Sequence, residues 1–123
     1  MLLNIQREAA PAGVTVLKLT GRITLGNSCQ ELEWEIDKLM DEGSKGVVLD
    51  LSRIDRVDSA GIGILTLSAG KLRKAGGQLR LAGAQGAVND VVKLTKIDTI
   101  VSCHPDLDSA LRAFGPGASP AQG

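Results

Sequence analysis

The segment Asp58-Ser59-Ala60-Gly61-Ile62-Gly63 holds the residues of this chain whose types and spacing best suit chemistry. Asp58 and Ser59 are both favourable N-cap residues, so the segment predicts the start of a helix. Glycine inside a helix costs about 1 kcal/mol relative to alanine, and two glycines in the first turns need a reason. One reason is close packing of the helix on a sheet. The other is access, since a hydroxyl without bulky neighbours can enter the active site of another protein.

Ser59 is also well placed to carry a phosphate. The dipole and the free N–H groups at a helix N-terminus favour an anion. A phosphate would add about −1.5 to −2 charge beside Asp58. We expect this modification to change the surface offered to a partner without unfolding the helix. The alternative interpretation is that Asp58 and Ser59 are simply a common helix cap.

The sequence lacks the patterns of several familiar catalytic and cofactor sites. The nucleophile elbow G-x-S-x-G fails at Val57, and the only histidine, His104, is expected to have a structural or surface role. There is no P-loop, and the dinucleotide fingerprint fails at Thr66. One His and two Cys cannot supply a four-ligand zinc site, and Asp55 and Asp58 are expected to cap and be solvated rather than bind Mg²⁺. We therefore predict a protein that is not an enzyme and needs no cofactor or metal.

Composition narrows the class of partner. The 14 basic and 14 acidic residues balance, so no net field draws the chain to nucleic acid or to an anionic membrane. Aromatic residues make up only 2%, which leaves no platform for base stacking. No signal peptide is visible, and no apolar run approaches the ~20 residues that span a bilayer. We expect a soluble cytoplasmic protein with no direct nucleic-acid contact and no membrane insertion.

The motif follows a predicted central strand. Val47–Leu51 is apolar at three consecutive positions, Val47-Val48-Leu49, which is typical of a strand covered on both faces. The helix after it should run from Ser59 to about Ala75. Functional loops in open α/β sheets lie beyond the carboxyl ends of such strands. Other strands are predicted at Leu2–Arg7 and Val14–Thr20 (a hairpin), Gln78–Ala82 and Ile100-Val101. Other helices are predicted from a capping box of Ser28 and Glu31 to Gly43, around Val88–Val92, and over Leu107–Phe114 with Asp106 as N-cap.

These elements predict one α/β domain over residues 1–114. We expect a mixed open sheet of about four or five strands packed with about four helices. Residues 115–123 are rich in Gly, Pro and Ala and are predicted to form a disordered tail.

Two surface features lie outside the motif. Trp34 lies about 200° from Leu32 and Ile36 around its predicted helix. It therefore either packs on a neighbouring loop or is an exposed anchor for a partner. A basic cluster at a solvated helix end is predicted from Lys71, Arg73, Lys74 and Arg80.

The motif and the strand before it resemble the signature of STAS domains, the sulfate transporter and anti-sigma factor antagonist family. The resemblance includes Gly21-Arg22-Ile23-Thr24 and the order of elements over residues 2–114. As a stand-alone chain, the protein resembles bacterial anti-sigma factor antagonists rather than transporter tails. It departs from the family at Arg22 and Thr24, where many relatives carry acidic residues.

The resemblance implies a phosphorylation switch at Ser59. The expected partner is both an anti-sigma factor and a Ser/Thr kinase, which binds the unphosphorylated antagonist and so frees a sigma factor, and a PP2C-type phosphatase reverses the modification. The alternative is an accessory subunit of a bacterial lipid-transport ABC complex, which binds the ATPase without phosphorylation. The expected contact residues are Asp58, Ala60, Gly61, Ile62 and Gly63, with Arg22, Thr24 and Asn27 as further candidates because the early loop is expected to neighbour the motif.

Overall fold

A computed structural model describes residues 3–114 as a five-stranded mixed sheet with helices on both faces. The strands lie in chain order across the sheet, and the predicted α/β class is confirmed. The predicted tail, residues 115–123, lies outside the described residues. The strands are β1 (Leu3–Ala9), β2 (Val14–Ile23), β3 (Gly46–Val57), β4 (Gln78–Ala82) and β5 (Ser102–His104). The helices are α1 (Asn27–Asp41), α2 (Ser59–Lys74), α3 (Gly86–Thr95) and α4 (Leu107–Arg112).

The direction of each strand follows from the length of its connection. β1 and β2 form the predicted antiparallel hairpin across a short 3-10 turn at Pro11–Gly13. From β2 onward, each strand pairs in parallel with the next. Parallel neighbours need a long crossover connection, and α1, α2 and α3 supply the three crossovers.

The sheet separates two aliphatic cores. The larger core joins α1, α2 and α3 to one face of the sheet, and the smaller core joins α4 to the opposite face. Leu49 and Leu51 of β3 face the larger core, whereas Val48 faces the smaller one. The expectation that this strand is covered on both faces is therefore confirmed. Burying each such side chain stabilises the fold by about 1.5–3 kcal/mol, so β3 and the helices around it form a firm base for the loops at its end.

The predicted capping box at the start of α1 is wrong. The helix begins at Asn27, with Gly26 as its N-cap at φ 111°. Ser28 lies inside the helix, and its Oγ turns back to the preceding loop. There it accepts the N–H of Thr24 at 2.9 Å and donates to the carbonyl oxygen of Thr24 at 2.8 Å.

Two further local predictions are wrong. The last strand is Ser102–His104 rather than Ile100-Val101, because a 3-10 turn at Ile97–Thr99 continues into a hydrogen bond from the Ile100 N–H to Ile97. The second concerns Arg80, which does not join the predicted basic cluster, whereas Lys71, Arg73 and Lys74 lie in the last turn of α2 as expected. Lys71 pairs with Glu33 and Asp37 of α1, and Arg80 is buried in the sheet.

Arg80 lies on the smaller-core face, against His104 and Phe114. Its Nη1 is 3.1 Å from Nε2 of His104, and its guanidinium carbon is 4.9 Å from the centre of the Phe114 ring. Burial, together with the charge of Arg80, lowers the pKa of His104 below its usual 6.5. Because an arginine is always charged, a neutral His104 accepting from it is the favourable state.

We predict that acid weakens the fold through His104. Its folded pKa lies below the 6.5 of the unfolded chain, so the stability it contributes is fully present above 6.5 and falls as the pH drops through the lowered pKa. Urea unfolding between about pH 7 and about pH 5.5 measures this loss, because ordinary carboxylates titrate lower. The variant His104→Gln keeps an acceptor but cannot titrate, so its stability should stay level over this range. Parallel losses in the wild type and the variant would contradict the assignment.

Candidate functional site

The predicted start of α2 is confirmed, with Asp58 as its N-cap. Oδ1 of Asp58 accepts the N–H of Gly61 at 2.9 Å, and the backbone of Asp58 is extended. Ser59 is therefore the first helical residue rather than the cap. Its side chain is exposed, and its hydroxyl forms no hydrogen bond with the residues that the structure describes.

Asp58 also binds the loop between β2 and α1, residues 24–26. Its Oδ2 accepts the N–H of Leu25 at 3.0 Å, and its own N–H donates to the carbonyl oxygen of Ile23 at 3.3 Å. The N–H groups of Leu25 and then Gly61 stabilise the carboxylate and lower the pKa of Asp58. The carboxylate is therefore charged at neutral pH. The expectation that the early loop neighbours the motif is confirmed by these bonds.

The two glycines of the motif have different environments. A Cβ on Gly61 would overlap the carbonyl oxygen of Ile23 and lie 2.9 Å from Cγ1 of Val57. Gly61 is thus required for the close approach of α2 to the ends of β2 and β3. A Cβ on Gly63 would meet no atom within 4 Å, so packing does not explain that glycine.

The residues predicted to contact a partner do not all reach the surface. Ser59 and Gly63 are exposed, whereas Ala60 and Ile62 are half-buried and pack against the larger core. Gly61 is buried, so its part in the site is the packing just described. Among the other candidates, Arg22 and Asn27 are exposed and Thr24 is half-buried.

Leu25 is a surface residue of the site that sequence reasoning missed. Its side chain is 79% exposed, although its backbone is held by Asp58. Leu67, one helical turn after Gly63 on the same side of α2, is 47% exposed. Single exposed leucines are common, and only the long-range bond to Asp58 reveals that Leu25 lies beside Ser59. We call Leu25, Ser59, Gly63 and Leu67 the Ser59 surface.

Trp34 is exposed on α1. Its relative exposure is 62%, and Nζ of Lys38 lies 4.1 Å from the centre of its ring. The alternative in which it packs on a neighbouring loop is therefore wrong. The exposed position leaves Trp34 as a candidate contact residue.

The described residues offer no metal centre. Within 3–114, no three His, Cys, Asp or Glu side chains are grouped so that they could hold an ion. In the same range, none of the helices has the length and the apolar character to cross a membrane.

Comparison with known proteins places this geometry in context. The family model described as STAS domain matches residues 7–110. A Bordetella bronchiseptica protein assigned as the anti-sigma factor antagonist BtrV is 31% identical over 102 residues, which cover 83% of this chain and 87% of that protein. The crystal structure of an anti-sigma factor antagonist from Mycobacterium paratuberculosis has a TM-score of 0.81 and 28% identity, covering 91% of this chain and 93% of that one.

A more distant likeness concerns the fold alone. The Bacillus cell fate determinant SpoIIAA in its phosphorylated form has a TM-score of 0.70 at 15% identity, covering 91% of this chain and 100% of that one.

We predict that Gly61→Ala destabilises the fold by about 2–3 kcal/mol, the upper range for overpacking a rigid site. The new Cβ would strike the backbone of Ile23, which cannot yield as a flexible side chain does. Gly70→Ala is the matched control, because it lies in the same helix with no atom within 4 Å of its Cβ position. That substitution should stabilise by up to about 1 kcal/mol. Urea unfolding of both variants measures the difference, and equal effects would refute the close approach.

Proposed function

The chain belongs to the STAS domain family, and we propose that it acts as an anti-sigma factor antagonist controlled by phosphorylation of Ser59. In its unphosphorylated form it binds an anti-sigma factor that is also a Ser/Thr kinase, and a sigma factor is released. Phosphate on Ser59 ends this binding, and a PP2C-type phosphatase restores it. The names of the relatives at 31% and 28% identity support the antagonist class.

The exposed hydroxyl of Ser59 carries the proposal. A serine at a helix start usually caps it, but here Asp58 performs that role. The Ser59 hydroxyl therefore forms no hydrogen bond that stabilises the described part of the fold, and it faces solvent at the first position of α2. A kinase can reach this atom without opening the helix.

The charge at the site suits a switch that acts on binding. Asp58 holds a carboxylate whose lowered pKa keeps it charged, and a phosphate next to it adds about −1.5 to −2 charge. The chain as a whole has no net charge, so this change is concentrated at one end of α2. A partner docked against the Ser59 surface would lie directly against the added negative charge.

The apolar part of the Ser59 surface supports protein binding. Leu25, whose backbone is bonded to Asp58, and Leu67, one turn after Gly63, both expose hydrocarbon at this surface. Gly63 destabilises α2 by about 1 kcal/mol relative to alanine, and no packing contact in the described structure requires a glycine there. A partner that lies close against the first turns of α2 would explain the glycine, because any side chain at this position would keep the partner at a greater distance.

In this role the protein acts in the cytoplasm and performs no catalysis of its own. It needs no cofactor, contacts no nucleic acid directly and does not insert into a membrane. A structural subunit of a lipid-transport ABC complex would use the same fold with Ser59 unmodified. Incubation with kinases and ATP distinguishes the two functions.

We predict that a kinase of the anti-sigma factor class phosphorylates the chain once, on Ser59. Each such kinase from the source genome is incubated with the protein and ATP, and the phosphate is located by mass spectrometry. Ser59→Ala should accept no phosphate yet retain binding, whereas Ser59→Asp should bind about tenfold more weakly, equivalent to 1.4 kcal/mol. Ser109→Ala, in the first turn of α4, is the control and should behave as wild type.

Two outcomes would contradict this prediction. Absence of phosphate with every kinase, together with copurification of an ABC ATPase, would favour the transport subunit. Equal affinity of Ser59→Ala and Ser59→Asp would exclude a switch that acts through charge.

We predict that Gly63→Ala increases the stability of the fold but weakens binding of the partner. Neither Gly63 nor Gly70 has an atom within 4 Å of the added Cβ, so either alanine should stabilise α2 by up to about 1 kcal/mol. Only Gly63→Ala, one turn from Ser59, should weaken binding of the kinase, because its methyl group stands in the docking surface. Calorimetric titration measures both affinities. Unchanged affinity of Gly63→Ala would show that the partner does not lie against this turn.

A further inference from the structure

β2 and β3 extend together beyond β4 and β5, while β1 stays paired with β2 as far as Gly21. The pairing of β3 with β4 ends at Asp50, opposite Ala82. β2 and β3 remain paired in parallel as far as Ile23 and Val57. This extension, which we define as residues 20–23 of β2 and 51–57 of β3, leads directly to Asp58. Its side toward β4 has no neighbouring strand among the described residues.

Two irregularities in this pairing change the direction of the side chains. At each point β3 contains one residue more than β2, as in a β-bulge. Leu51, Ile54 and Val57 are consequently buried three residues apart, with two exposed residues after each of the first two. Arg53 and Arg56 are thereby turned outward. Bulges are often found where a strand must redirect a side chain beside a functional site.

The arginines of the extension form no ion pair within the described part of the chain, although the charge of Arg56 helps to lower the pKa of Asp58. Arg22, Arg53 and Arg56 are exposed, and none has a carboxylate oxygen of residues 3–114 within the 4.0 Å of an ion pair. By contrast, Arg7 pairs with Glu35 of α1 and with Glu42 directly after it, and Lys71 pairs with two carboxylates of α1. Other exposed cations, such as Lys93 and Lys96, also form no ion pair with the described residues, so this surface is distinguished by the presence of three arginines on two paired strands.

The fold also places two of these cations directly opposite each other. Arg22 and Arg56 are register partners on β2 and β3, and like charges in that position destabilise a sheet. An unneutralised pair of arginines therefore works against folding. Binding of an anion from outside the described chain would remove that cost.

We propose that Arg22, Arg53 and Arg56 form a docking surface for an acidic segment of a partner protein. The inference rests on the proposed function, in which that partner is the anti-sigma factor kinase. The surface is continuous with Ser59, since Asp58 bonds to Ile23 directly after Arg22. Guanidinium groups suit carboxylates because each can donate two parallel hydrogen bonds.

The composition of the chain favours a protein over a nucleic acid as the occupant. Strong binding to nucleic acid needs many phosphate contacts, whereas this chain has balanced charge and 2% aromatic residues. An acidic partner also agrees with the direction of the switch. A phosphate on Ser59 would attract the same arginines and repel the partner's carboxylates. One modification would therefore weaken binding at the arginines as well as at the Ser59 surface.

Charge reversal tests the proposal on the intact protein. The kinase that phosphorylates Ser59 is titrated with wild type and with Arg22→Glu/Arg56→Glu at low and raised NaCl. The wild-type affinity should fall with salt, and the double variant should bind at least about tenfold more weakly with little salt dependence. The control Lys93→Glu/Lys96→Glu changes the charge equally on exposed residues at the end of α3 and should bind as wild type. Wild-type affinity of the arginine variant would overturn the proposal.

A second measurement distinguishes failure of this inference from failure of the proposed function. If no kinase binds the wild type, the proposed function fails, and the surface is then probed by NMR of the labelled protein. The three probes are a hexaglutamate peptide, a short DNA duplex and phosphatidylglycerol vesicles. Shifts confined to the arginines of the extension, and caused by the peptide alone, would support an acidic protein segment. Stronger binding of DNA or vesicles, or no shift at these arginines, would overturn it.

Discussion

The close contact between the first turn of α2 and the end of β2 is the constraint on which the site depends. Gly61 permits it, because any side chain there would meet the carbonyl oxygen of Ile23. Asp58 then holds it, with one carboxylate oxygen on the N–H of Gly61 and the other on the N–H of Leu25. A helix start and a loop that are 33 residues apart in the chain thereby become one surface.

This arrangement divides two tasks between neighbouring residues. Asp58 caps α2 and binds the early loop, so its carboxylate is fully engaged in the fold. Ser59, the next residue, is left with an exposed hydroxyl and is available to a partner. Were Ser59 the cap, phosphorylation would alter the group that accepts the N–H of the first helical turn. With Asp58 as the cap, the modification can alter binding while the fold is retained.

The electrostatic character of the site comes from charged groups close to Ser59 rather than from the net charge of the chain. The chain has no net charge, and ion pairs neutralise cations such as Arg7 and Lys71. Near Ser59, by contrast, a charged carboxylate lies beside a strand extension with three exposed arginines. A change of charge on Ser59 would therefore act directly on the groups that are available to a partner.

Sequence patterns determined the α/β class, the hairpin, β4 and the start of α2, because hydrophobic periodicity and turn residues act over a few positions. They also singled out Ser59. Only the tertiary structure decided that Asp58 rather than Ser59 is the cap, that Gly61 is buried while Gly63 is open, and that Leu25 lies at the site. It likewise decided the two bulges that turn Arg53 and Arg56 outward. Each of these depends on contacts between β2, β3 and α2, which are distant in the chain, and local preferences carry no information about such contacts.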